Sequence, residues 1–129
     1  YHGIPKEYFD KGDPYQCYCQ KTTRLMKDKF QDILIETTFQ SRFGPREWLK
    51  PYTDKTLEAL AGKGKKNILM ISPGFSSDCV ETLEELNIQG RESFMKNGGM
   101  NFDYVPCLND NENHINLFEK LIKDYLVLK

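Results

Sequence analysis

The chain has 129 residues, 39% hydrophobic and 12% aromatic, a composition that supports one compact core and argues against a disordered segment. Its 18 Lys and Arg against 19 Asp and Glu leave a formal net charge of -1, and no basic block is present to track a phosphate backbone, so nucleic acid is not an expected partner. The longest mainly apolar stretch, NILMISPGF, is broken by Ser72, Pro73 and Gly74 and falls far short of the roughly 20 residues that span a bilayer, which leaves room only for a peripheral membrane contact.

The first residues, YHGIPKEYF, contain no Met and no targeting segment, and a His-Gly-Ile-Pro turn comes at once. The expectation is a chain cut inside a larger protein. Pro14, followed by apolar or aromatic residues at Tyr18, Leu25, Met26 and Phe30 among lysines, predicts a helix over 14–30. Ile33, Leu34, Ile35, Thr37, Thr38 and Phe39 are β-branched or apolar and predict a largely buried strand. A loop with Gly44, Pro45, Trp48 and Pro51 follows.

Thr53 or Asp54 is placed to cap a short helix carrying Leu57, Leu60 and Ala61, which stops at GKGKK. NILMIS reads as a second buried strand. Val80, Leu83, Leu86, Gly90 and Phe94 recur at three or four and predict a helix from Asp78 to about Lys96, ended by NGG. FDYVPCL is the third expected strand, and Ile115, Phe118, Ile122 and Tyr125 mark an amphipathic last helix after NDNEN.

Helices alternating with short apolar strands predict βαβ units, hence an α/β fold of three layers, α/β/α, around a parallel sheet. In such sheets ligands bind beyond the carboxyl ends of the strands. The loops there are QSRFGPREW, PGFSSD and PCLND, and the site is expected to be built from them.

Glu81 invites two readings. Asp78 and Glu81 have the spacing of a capping box, with Asp in place of Ser or Thr, and an acid in a first turn suits the helix dipole. Yet Glu81, Glu85 and Glu92 also fall near one helical stripe that starts at the strand-end rim, where it would pass protons or cations or simply face solvent. His2 is either a packed residue or an imidazole presented rigidly between Gly3 and its Pro5 turn. His114 reads as a surface or cap residue with no role. Trp48, the single tryptophan, is either a loop plug or a surface for a flat ligand. Ser41, Arg42 and Arg46 lie at the strand exit, where the arginines suit an anionic group. Cys17, Cys19, Cys79 and Cys107 lack a metal-like pair of spacings and are expected to be free thiols in a cytoplasmic setting.

YHGIP, KGDPY, FQSRFGPREWLKPYTD, PGFSSDCVETLEE and PCLND occur in this order, and together they resemble the carboxyl-terminal half of ferrochelatase, across essentially the whole chain. The bacterial form is the nearer likeness, since Cys79 stands where animal enzymes tend to have histidine. The resemblance implies a flavodoxin-like, chelatase-like lobe over residues 1–129, with the amino-terminal lobe and the strand before YHGIP missing. It implies insertion of Fe2+ into protoporphyrin IX to give protoheme, the final step of heme biosynthesis, by a metal-inserting lyase, cytoplasmic or peripheral at the inner membrane. The isolated piece is expected to be inactive.

By this resemblance the motif histidine falls on His2, the catalytic glutamate on Glu81 and the pocket tryptophan on Trp48. Ser41 and Arg42 would help bind substrate, and Asp78 and Glu85 would lie on a proton or metal path. His2 and Glu81 would accept pyrrole protons or hand over the metal; the sequence leaves both open. Fe2+ enters as substrate, no cofactor is required, and no iron–sulfur cluster is expected. Gln89 interrupts the acidic stripe. The rival readings are a non-catalytic tetrapyrrole or metal-binding module, and a related cobalt or nickel chelatase.

Overall fold

The computed structural model describes residues 1–127. In chain order it contains α1 (Lys6–Asp10), α2 (Tyr15–Lys29), α3 (Thr53–Gly62), β1 (Asn67–Met70), a π-helix (Glu81–Gly90) that runs directly into α4 (Arg91–Lys96), β2 (Asn101–Tyr104) and α5 (Glu112–Val127). The mixed α/β class expected from the alternation is what is found, with a small parallel sheet. Strands β1 and β2 pair in parallel, Asn67 opposite Asn101 and Met70 opposite Tyr104. The connection between them is the π-helix and α4, as a parallel crossover requires.

One core lies under this βαβ unit. Leu57 and Ala61 of α3, Phe94 of α4 and Phe102 of β2 are buried together, with Ile68, Met70 and Tyr104 against them. Gly99 allows the strand to start there, because a Cβ at that position would sit 2.2 Å from the Phe94 ring. A second cluster joins Cys19 of α2 to Phe39 and Leu49, with Tyr1, Ile4 and Tyr15 packed around it. Isolated bridges organise this half: His2 with Gln40 in parallel, Pro5 with Trp48 antiparallel, and Phe39 with Tyr52 in parallel.

Several expectations need correcting. Residues 33–38 form no strand, and Ile33 is 60% exposed. Ile33, Leu34 and Ile35 line an apolar cleft of about 650 Å³ together with β1 and Ile71, and do not pair with β1 as a strand. For the same reason β1 is not buried on both faces: its residues alternate in exposure, and Leu69 is 65% exposed. Among the described residues the sheet therefore has two strands where three were expected.

Helix α3 has no side-chain cap; Tyr52 precedes it, the Thr53 hydroxyl donates to Thr38 Oγ1 at 3.0 Å, and Asp54 pairs with Arg42. The helix expected from Asp78 to Lys96 begins later, Asp78 and Cys79 being outside it, and is π-helical over Glu81–Gly90, a wider winding that spacing of three and four does not reveal. The short α1 was not anticipated. On α5 the expected apolar residues Ile115, Phe118, Ile122 and Tyr125 are all exposed.

Candidate active site

His2 follows Tyr1 in a segment that runs beside residue 40. Gly3 makes the approach possible, since a Cβ there would lie 2.9 Å from the Gln40 carbonyl oxygen and 3.2 Å from the Trp48 ring. The His2 ring is half-buried and its Nδ1 lies 2.6 Å from the Gly3 carbonyl oxygen. A carbonyl only accepts, so Nδ1 carries the proton, and in the neutral ring the Nε2 lone pair is left open. The Phe75 ring, 6.5 Å away, flanks it from the loop after β1, and the Tyr15 hydroxyl fixes its carbonyl at 2.8 Å.

Glu81 opens the π-helix, beyond the carboxyl end of β1 and a ten-residue loop. Its carboxyl is held below the usual carboxylate range, first by a hydrogen bond from the Cys79 thiol, then by its own main-chain N–H and by the charge of His2. The two residues come from distant parts of the chain. The same hydrogen bond from Cys79 to Glu81, together with burial, pushes the Cys79 thiol up.

The capping box is not formed. The Asp78 N–H donates to Asn109 Oδ1 at 2.8 Å rather than to Glu81, and the Cys79 N–H donates to Thr82 Oγ1 at 2.9 Å. The Asp78 carboxylate accepts from Thr82 Oγ1 at 2.9 Å, Tyr104 Oη at 2.7 Å, Asn109 Nδ2 at 2.8 Å and the Cys107 N–H at 3.2 Å. Burial works to raise its pKa, but these four donors outweigh it and hold the carboxyl far below the usual range. Tyr104 shows the converse: burial leads in pushing its hydroxyl up to about 12, and the Asp78 carboxylate adds to the shift. Ser72, buried two residues past the end of β1, touches both Tyr104 Oη at 3.0 Å and Cys107 Sγ at 3.4 Å. Asp78 thus ties the start of the π-helix to β2 and the loop after it.

Glu85 sits one turn beyond Glu81 and is bound from the other side, where the Ser41 hydroxyl donates to its carboxylate. Ser41 has φ 64, a left-handed conformation that costs a residue with a side chain. Gln40, which the sequence reading passed over, lies between the two acids: its Nε2 donates to the Glu81 carbonyl at 2.7 Å and approaches Glu85 Oε2 at 3.4 Å. A polar residue closing an apolar run at a strand exit was the signal that could have drawn notice to it.

Trp48 is half-buried beside Gly3, and its Nε1 donates to the Phe43 carbonyl at 2.9 Å, which sets its ring in the loop next to the His2 segment. Arg42 is less free than its position suggested. It pairs with Asp54 at 2.6 Å and lies over the Tyr52 ring at 4.2 Å, and Arg46 pairs with Glu7 at 3.1 Å. Gln89 turns to Glu84, five residues back, at 3.2 Å. His114, expected at the surface, is buried: it faces the Asn109 carbonyl at 2.8 Å and stacks against Phe118 with centroids 4.4 Å apart. All four thiols are free, Cys19 being buried.

Among the described residues no group of three or more His, Cys, Asp or Glu gathers into a ligand set. No helix among the described residues is long and apolar enough to cross a membrane.

These features define a small α/β domain with a parallel sheet, in which Glu81 lies beyond the carboxyl end of β1 and His2 lies beside Gln40. The chain belongs to the ferrochelatase family, whose sequence profile matches residues 1–126. It is 52% identical over its whole length to the ferrochelatases of Francisella tularensis subsp. novicida strain U112 and subsp. holarctica strain LVS, and 51% identical to that of subsp. tularensis strain SCHU S4. In each case the chain spans 40% of the relative's length.

Proposed function

We propose that this chain is the carboxyl-terminal lobe of a two-lobed ferrochelatase, and that the whole protein inserts Fe2+ into protoporphyrin IX to form protoheme. The reaction must remove two pyrrole protons from the macrocycle and strip water from the metal. The observation that carries the reading is that His2, with its Nε2 left open, and Glu81, whose carboxyl is held low first by the Cys79 thiol, are connected through Gln40, whose N–H donates to the Tyr1 carbonyl and whose side chain donates to the Glu81 carbonyl.

In this reading His2 Nε2 takes a pyrrole proton, a task suited to an imidazole near neutral pH. Glu81 provides an anionic oxygen for the incoming cation or for a proton leaving by way of Glu85. Glu85 is held by Ser41 and continues the acidic route along the helix. Asp78, whose carboxylate already accepts from four donors, serves as the anchor that fixes Glu81 rather than as a carrier. Trp48 offers an aromatic face beside the histidine for the flat substrate. Ser41 and Arg42 line the approach, with Arg42 available to a substrate carboxylate only by exchange with Asp54. The resemblance brings with it a cytoplasmic or inner-membrane peripheral setting and no iron–sulfur cluster.

The test is a titration of the whole protein with protoporphyrin IX followed by addition of Fe2+ or Zn2+ under anaerobic conditions. Conversion of the free-base absorption spectrum to that of the metalloporphyrin, at a rate above the protein-free control, is the expected result. Porphyrin binding without metallation would assign a binding module instead.

A further inference from the structure

We propose that Gln40 is a positioning residue that sets the His2 segment and the π-helix in the register at which His2 and Glu81 act together; the proposal rests on the reading of those two residues as the reacting pair. Both ends of Gln40 take part. Its main chain is held by the residues on either side of His2: the Gln40 N–H donates to the Tyr1 carbonyl at 2.9 Å, and the Gln40 carbonyl accepts from the Gly3 N–H at 2.8 Å. The side chain runs the other way, and its Nε2 donates to the Glu81 carbonyl at 2.7 Å. One residue therefore connects the backbone around the imidazole to the backbone of the carboxylate.

The state of the side chain supports this role. Gln40 is 6% exposed, and its Oε1 is buried with no hydrogen-bond partner. An orphaned buried acceptor is unfavourable, and an apolar side chain of equal length would fill the volume without it. What the amide contributes against that cost is its donor end, which faces the Glu81 carbonyl, with Ser41 Oγ at 3.3 Å and Glu85 Oε2 at 3.4 Å as further acceptors. The π-helix is anchored at Asp78 to β2, on the side of the first core; Gln40 and Ser41 tie it to the second half, where His2 lies. Without the Gln40 donor the helix keeps its anchor while the distance from Glu81 to His2 loses a restraint, and reactions are sensitive to misplacement of this kind.

The experiment uses the whole protein with Zn2+ and protoporphyrin IX. Gln40→Met keeps the length and removes the donor; Gln40→Glu keeps the length and turns acceptors toward the Glu81 carbonyl and the Glu85 carboxylate. Both are expected to lower kcat, on the order of tenfold to a hundredfold, with Gln40→Glu the lower. In Gln40→Met the porphyrin affinity and thermal midpoint stay at the wild-type values, while the pH dependence of kcat shifts. Wild-type kcat and pH profile in Gln40→Met overturn the proposal, and so does a loss of rate matched by an equal loss of folded protein. His2→Ala and Glu81→Ala are measured alongside. If both are inactive and Gln40→Met is not, only the Gln40 proposal falls; if both keep wild-type rates, the assignment of the pair is wrong and Gln40 falls with it.

Discussion

The Tyr104 hydroxyl donates to the Asp78 carboxylate at 2.7 Å, and through this bond the last residue of β2 holds the start of the π-helix. Since three further donors converge on the same carboxylate, Asp78→Asn would place an amide N–H among groups that all donate. The expected loss is on the order of 2–4 kcal/mol in the whole protein at pH 7, read as a fall in the thermal midpoint.

The pH dependence of that loss has a definite sign. The folded pKa of Asp78 lies below its unfolded value, near 3.9, so its contribution is fully present above about pH 5 and declines as pH falls through the acid range toward the folded value. The gap in midpoint between wild type and Asp78→Asn should therefore be constant from pH 6 to pH 7 and narrow steadily below about pH 4. Thermal melts across this range check it; a gap that widens on acidification contradicts the carboxylate's role as an ionised anchor.

Ser41 combines a useful hydroxyl with an unfavourable backbone conformation at φ 64. Ser41→Ala and Ser41→Gly both delete the donor to Glu85, but glycine adopts a positive φ without the Cβ penalty. The glycine variant should be the more stable of the two by about 1 kcal/mol, as measured by denaturant midpoints on the two proteins.

Gly3 is expected to tolerate no side chain. A methyl group there meets the Gln40 carbonyl at 2.9 Å, and that carbonyl is part of the backbone pairing that places His2. Gly3→Ala should reduce metal insertion by on the order of a hundredfold and lower the thermal midpoint, a combination that an insertion assay and a melt together would detect.

The sequence made the helices legible where the cue was local. Pro14 and the apolar positions after it marked α2 within a residue at each end, and Leu57 with Ala61 marked α3. What it concealed depended on distant partners. Ile33 to Ile35 have the composition of a buried strand, yet a strand exists only where another main chain exchanges hydrogen bonds with it, and here a cleft intervenes. Asp78 and Glu81 have capping-box spacing, but three of the four donors that claim the Asp78 carboxylate come from Tyr104, Cys107 and Asn109, roughly a quarter of the chain further on. The π-winding at Glu81 to Gly90 likewise leaves no mark in a pattern of threes and fours. His2 and Glu81 were nameable through motifs; that Gln40 lies between them was visible only in three dimensions.

The central proposal is that His2 and Glu81 act as a pair in metal insertion. Its most direct test is the steady-state rate of Zn2+ insertion into protoporphyrin IX by the whole protein carrying His2→Ala, Glu81→Gln and both changes. Each single variant should lose at least on the order of a hundredfold in rate, with porphyrin binding retained, and the double variant should be little worse than either single one, as expected for residues that work as a unit. Near wild-type rates in either single variant, or losses that simply multiply in the double, would contradict it.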